Sequence, residues 1–147
     1  MIFLSNHRIS CPSLIFCKIV RGEIPCFKVL EDNEILAFMD VNPIAAGHAL
    51  VIPKFHSKDI HETPAEWVGI TFAGAKRIAE AVEKTLEPAG INIVQANGPG
   101  AKQSVFHLHV HVMPRGMDDG LTMNWELEPG DMDEIGKLAE QIAANVA

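Results

Sequence analysis

Three histidines occupy alternate positions in the run Phe106-His107-Leu108-His109-Val110-His111-Val112-Met113. Side chains alternate across a β-strand, so an extended segment here sets His107, His109 and His111 on one face, with successive rings about 6.6 Å apart. Phe106, Leu108, Val110 and Val112 then make the opposite row, which faces the core. Four readings suit such a row. It is polar filling on a solvated face; or a zinc or iron site, since His-x-His is a common ligand pair; or a binding or pH-sensing patch without chemistry; or a centre for attack on phosphorus. A neutral imidazole is a nucleophile near pH 7 once an acceptor holds its other nitrogen, and neighbouring rings can protonate a leaving group.

The surroundings favour the last reading. Upstream, the stretch 97–104 brings Asn97, Gly98, Gly100, Gln103 and Ser104 before the histidines. Glycines let backbone N–H groups approach an anion, and Gln103 and Ser104 add side-chain donors. The spacing is not that of a Walker A loop, because Lys102 follows Ala101. A metal site would want a carboxylate or thiolate close behind the histidines. Val112, Met113, Pro114 and Arg115 follow instead, and Asp118 and Asp119 come only after a proline and a glycine. No metal and no cofactor is expected.

The elements that must position these residues can be read from periodicity. Residues 13–25 predict a short helix with Ser13 as N-cap, Ile15, Phe16 and Ile19 on its apolar face, and Gly22 and Pro25 as its stop. Strands follow at 26–30 and 34–39, joined around Glu31-Asp32-Asn33, and a third at about 48–52 ends at Pro53. Thr63 to about Glu87 is the clearest helix, with Thr63 as N-cap, Pro64 in the first position and Glu66 completing a capping box. A fourth strand at 91–96, a fifth at 104–114 and a last helix from about Met132 to Ala144 complete the chain. That last helix has Asp131 as cap and Ile135, Leu138 and Ile142 as its core stripe. The order predicts an α+β fold: a five-stranded antiparallel sheet, a long crossing helix and short terminal helices. Residues 1–12 read as an N-terminal extension and 13–147 as one domain.

Composition bounds the partners. The chain has 147 residues, 12 Lys and Arg against 19 Asp and Glu, and a net charge of −7. That balance argues against holding long nucleic acid by its backbone, while leaving room for a small phosphorylated ligand. No apolar run approaches membrane-spanning length, and Ile2-Phe3-Leu4 is too short for a secretory core. Cys11, Cys17 and Cys26 are an odd number at no framework spacing, so reduced thiols and a cytoplasmic location are expected.

The residues resemble the histidine triad (HIT) family, whose defining motif is His-φ-His-φ-His-φ-φ with φ hydrophobic. His107 to Met113 matches every position, and the resemblance extends from 15–25 through 35–56 to 100–115. Within the family the chain is similar to the Hint branch and its bacterial relatives. The resemblance implies the HIT fold and a hydrolase or transferase that cleaves purine nucleoside 5′-phosphoramidates or related conjugates through a nucleotidyl-histidine. It assigns His109 as nucleophile, His107 as the residue that orients it, and His111 and Ser104 to the phosphate and leaving group. His48 is implied to pack against the triad, Asp40 to bind ribose, Ile19, Phe38 and Val41 to wall the base pocket, and Asn97 and Gln103 to lie on the phosphate side. A homodimer is implied, with a tail including Trp125 that shapes the partner subunit's pocket. Two alternatives stay open: a dinucleoside polyphosphate hydrolase of the Fhit type, and a nucleotide-binding or interaction protein with little catalysis. Some bacterial relatives hold a structural zinc with Cys-x-x-Cys and two histidines; here Leu14 stands where the first cysteine would be, so none is expected. His56 and His61 fall in a polar stretch and are expected to be exposed, without a catalytic part.

Overall fold

The computed structural model describes residues 14–121 and 128–147. The expected extension 1–12, the Ser13 cap, Cys11 and Trp125 lie outside the described residues. The chain forms two compact units, Met1–Met117 and Asp118–Ala147.

In the first unit, helix α1 (Ile15–Val20) precedes strands β1 (Lys28–Glu31), β2 (Ile35–Met39) and β3 (Ala49–Pro53). The β1–β2 turn is closed by Asp32, whose Oδ1 accepts from the backbone N–H groups of Glu34 and Ile35. Helix α2 (Ala65–Leu86) follows, then β4 (Gly90–Val94), a short 3₁₀ turn at Pro99–Ala101, and β5 (Val110–Arg115). The strands pair antiparallel in the order β1-β2-β3-β5-β4. The predicted fold class is the observed one.

Alternation explains the core. Ile35, Ala37, Ala49, Val51, Val110 and Val112 face one way, onto Ala75 and Ile78 of α2. Leu36, Phe38, Leu50 and Ile52 face the other way, onto Phe16 of α1. Because helices cover both faces, β2 and β3 are buried along almost their whole length and read as continuous apolar runs. Among the described residues no helix is long and apolar enough to cross a membrane.

Three expectations are corrected. The capping box does not form: the N-cap of α2 is Pro64, with no side-chain cap bond. The Thr63 hydroxyl instead donates to Asp59 O at 2.6 Å and accepts from Ser57 Oγ at 2.6 Å, binding a buried loop together. The fifth strand starts at Val110 rather than 104, because residues 105–107 form a bend. Alternation therefore fails there, and Phe106, expected in the core, is 46% exposed.

In the second unit, helix α3 (Met132–Ala144) begins where predicted, the Asp131 carboxylate accepting from the N–H groups of Asp133 and Glu134. Its stripe is not buried: Ile135, Leu138 and Ile142 are 49%, 53% and 65% exposed. The described residues of this unit hold no second element to cover it.

Candidate active site

A cleft of about 270 Å³ opens where the end of β2, helix α1 and the start of β5 converge. Its apolar wall includes Phe16, Ile19, Phe38 and Val41, and its polar lining includes Asp40, Ser104, His109 and His111. Each side chain is there for a local reason. Phe38 and Leu50 pair across β2 and β3 on the α1 face. Asp40 follows the last β2 residue, where its carboxylate caps the next turn by accepting from Asn42 N–H at 2.8 Å.

The hydrogen bonds fix the ring tautomers, because a carbonyl can only accept. His109 Nδ1–H donates to the His107 carbonyl at 2.7 Å, so its Nε2 carries the lone pair. His48 Nδ1 accepts from Ile44 N–H at 3.2 Å, which puts the His48 proton on Nε2. That Nε2–H donates to His111 Nδ1 at 2.9 Å and lies 3.6 Å from Asp40 Oδ2. The His111 proton is thereby driven to Nε2. Two rings with centroids 4.9 Å apart thus hold opposite tautomers, His109 with a bare Nε2 and His111 with an Nε2–H. One ring offers a lone pair and the other an N–H hydrogen-bond donor, without either being charged.

Burial keeps them neutral. His109 is 2% exposed, and desolvation pulls its pKa below the ordinary imidazole value against the opposing pull of the His107 carbonyl and Asp40. His111 is lowered to about 4 by burial and by its neighbours His109 and His48. His48 is lowered by burial, against Asp40. The ring of Phe16 packs edge-on to His109 at 5.2 Å, an apolar contact that adds to the desolvation.

Not every residue singled out in the sequence lines this cleft. Ile19, Phe38, Asp40, Val41, Ser104, His109 and His111 do, and His48 supports them through His111 and Asp40. Asn97 and Gln103 hold the glycine loop instead. Asn97 Oδ1 accepts from Ile60 N–H and Gln95 Nε2, while Gln103 accepts from Gly98 N–H and donates to Lys58 O and Val105 O. The three histidines do not make one row. His107 turns away from the cleft, its Nε2–H donating to Pro53 O at 2.8 Å, and burial lowers its pKa to about 4.

Two features escaped the sequence reading. Cys26, with Ile24 and Pro25, adds to the apolar wall. His56 is half-buried rather than exposed, with its Nδ1 3.2 Å from His107 Nδ1; His61 is exposed, as expected. The only signal for His56 was its place just beyond β3, where Pro53 ends the strand beside the histidine run. Cys17 Sγ lies 3.5 Å from each of these two nitrogens.

The chain is 37% identical over 150 residues to the adenosine 5′-monophosphoramidase HNT1 of Saccharomyces cerevisiae, covering 98% of this chain and 92% of the yeast protein. A crystal structure of a HIT family protein from Bacillus anthracis superposes with a TM-score of 0.85 at 37% identity, covering 92% of this chain and 99% of that one. A zinc-bound histidine triad family protein from Mycobacterium smegmatis gives a TM-score of 0.72 at 38% identity, covering 90% and 98%. Among the described residues Cys17, His56 and His107 come together as three donors, one short of the four ligands of a structural zinc. Leu14, one turn before Cys17, has no donor atom. The HIT domain model matches residues 21–118, from β1 through the bend and β5, and with the relatives above it shows that the chain belongs to the HIT family.

Proposed function

We propose that the chain is a nucleotide hydrolase that cleaves purine nucleoside 5′-phosphoramidates through a nucleotidyl-His109 intermediate. The observation that carries this reading is the pair of opposite tautomers on His109 and His111 in one cleft. The base lies against Ile19, Phe38 and Val41, the ribose hydroxyls on Asp40, and the phosphate beside Ser104. His109 Nε2 attacks phosphorus, and its Nδ1–H, held by the His107 carbonyl, spreads the charge that develops on the ring. The P–N bond to the leaving amine breaks as its nitrogen, hydrogen-bonded to His111 Nε2–H, takes a proton from solvent. Water then attacks the phosphorus, yields a proton to solvent, and releases the nucleoside monophosphate with His109 restored. The residues in these roles need no metal.

Support for the reaction class comes from relatives whose names state it, the yeast phosphoramidase among them. We also propose a cytoplasmic homodimer paired along β4, an edge strand whose Ile93 is 43% exposed. Gln103 and Asn97 then serve the phosphate side indirectly, by shaping the glycine loop.

The dinucleoside polyphosphate reaction would use the same nucleophile with a different leaving group. Parallel turnover of adenosine 5′-phosphoramidate and a diadenosine polyphosphate separates the two. The proposal expects the phosphoramidate to be preferred and His109→Asn to abolish turnover of both. Equal activity of His109→Asn would leave a binding protein with incidental hydrolysis.

A further inference from the structure

The lone pair on His109 Nε2 exists because a single backbone carbonyl, that of His107, takes the Nδ1 proton. That carbonyl lies outside the sheet ladder, in the stretch before β5 begins at Val110. Something other than strand pairing must aim it. Three groups from the end of β3 and the segment that follows it do so. Pro53 O accepts His107 Nε2–H at 2.8 Å. This leaves a lone pair on His107 Nδ1 that faces His56 Nδ1 at 3.2 Å, with Cys17 Sγ 3.5 Å from both nitrogens; a His56 carrying its proton on Nδ1 donates to it. Ser57 O accepts Leu108 N–H at 2.8 Å. Leu108 N–H and His107 C=O belong to one planar peptide unit, so fixing the first fixes the second. Ser57 is 5% exposed and tied through Thr63 to Asp59, so its carbonyl sits on a rigid loop.

We infer that His56 is a positioning residue for the nucleophile: with Pro53 O and Ser57 O it clamps His107, and thereby holds the carbonyl that sets the His109 tautomer. The inference rests on the reading of His109 as nucleophile but concerns a residue that touches no substrate. His56 is absent from the cleft lining, and its ring stands 5.1 Å from that of His107, centroid to centroid. Loosening this clamp lets the 107–108 peptide rotate, so that His109 samples the tautomer with its proton on Nε2, which cannot attack.

The test compares His56→Phe, which keeps an aromatic ring without a donor, with His56→Asn, whose amide nitrogen falls near the place of Nδ1. In His56→Phe, kcat for adenosine 5′-phosphoramidate is expected to fall about ten- to a hundredfold at nearly unchanged KM, as small misplacements of a reacting group do. In His56→Asn most of kcat is expected to return. Long-range ¹H–¹⁵N spectra of the imidazoles give a readout independent of turnover. The wild type is expected to show His109 as the Nδ1–H tautomer, His107 as Nε2–H and His56 as Nδ1–H, and His56→Phe a tautomer mixture at His109. A His107 ring protonated on Nδ1 in the wild type overturns the inference, and needs no variant to fold. So does a His56→Phe protein with unaltered kcat and a single His109 tautomer, or a His56→Asn protein as impaired as His56→Phe. Stoichiometric zinc in the wild type, lost in both variants, would assign His56 to a cation and overturn it as well. If the wild type does not turn over the phosphoramidate at all, the proposed reaction fails while the spectra still decide the clamp.

Discussion

At the scale of single residues, the site depends on imidazoles kept neutral by burial. His107 and His111 have pKa values of about 4 in the folded protein against an ordinary 6.5, and both shifts are led by desolvation. Unfolding returns these rings to water, so between about pH 6.5 and 4 the unfolded chain binds more protons than the folded one, and stability falls as pH falls through that window. Urea unfolding at pH 7 and pH 5 is expected to give a lower unfolding free energy at pH 5; equal values would contradict the assigned burial of the rings. Activity follows the same sign. His109 is also lowered, so the acid limb of kcat/KM is expected below the ordinary imidazole range. The choice of His109 came from the resemblance to the family, while the need of an attacking imidazole for an acceptor on its far nitrogen was legible from the residue types. The acceptor's identity was not, because a backbone carbonyl leaves no mark in a sequence.

At the scale of elements, the turn that delivers His48 into β3 is the most constrained piece of backbone near the site. Gly47 has φ +91°, and a Cβ there would crowd Leu86 Cδ1 and stand 3.1 Å from Pro114 Cγ. Gly47→Ala is therefore expected to cost about 1–3 kcal/mol, through a left-handed backbone and a crowded contact together. Because His48 is the next residue, the variant is also expected to lose kcat beyond its loss of stability. A melting temperature and kcat equal to the wild type would contradict this. Period-2 alternation located β2 and β3 well, since their side chains are sorted by which helix covers which face. It misled at Phe106 and His107, where the chain leaves the ladder and contacts distant in sequence take over: Leu108 N–H bonds to Ser57 O and His107 to Pro53 O. His56 was misjudged for the same reason. A polar neighbourhood in sequence became a half-buried one only once β3 and the bend were brought side by side.

At the scale of the whole molecule, the edge strands of the sheet among the described residues are β1 and β4. On β4, Ile91 and Ile93 share a shallow apolar groove with Ala79 and the stems of Lys76 and Lys84 on α2. Exposed edges carrying apolar side chains are places where another chain adds on. Light scattering is expected to give twice the chain mass, and Ile93→Glu, which sets a charge in that groove, to give the monomer. A wild-type mass equal to one chain would remove the dimer from the proposal. The net charge of −7, readable from composition, leaves room for a small phosphorylated ligand. The exposure of the α3 stripe within its own unit was not readable, because a periodic apolar pattern announces a buried face without saying what buries it.

The most direct measurement is the intact mass of the protein quenched without acid within the first turnovers of adenosine 5′-phosphoramidate. The account predicts a mass gain of one adenylyl group, located on the peptide containing His109, which decays as the nucleoside monophosphate appears and is absent from His109→Asn. Turnover with no such adduct, or an adduct that persists when His109 is replaced, would contradict it.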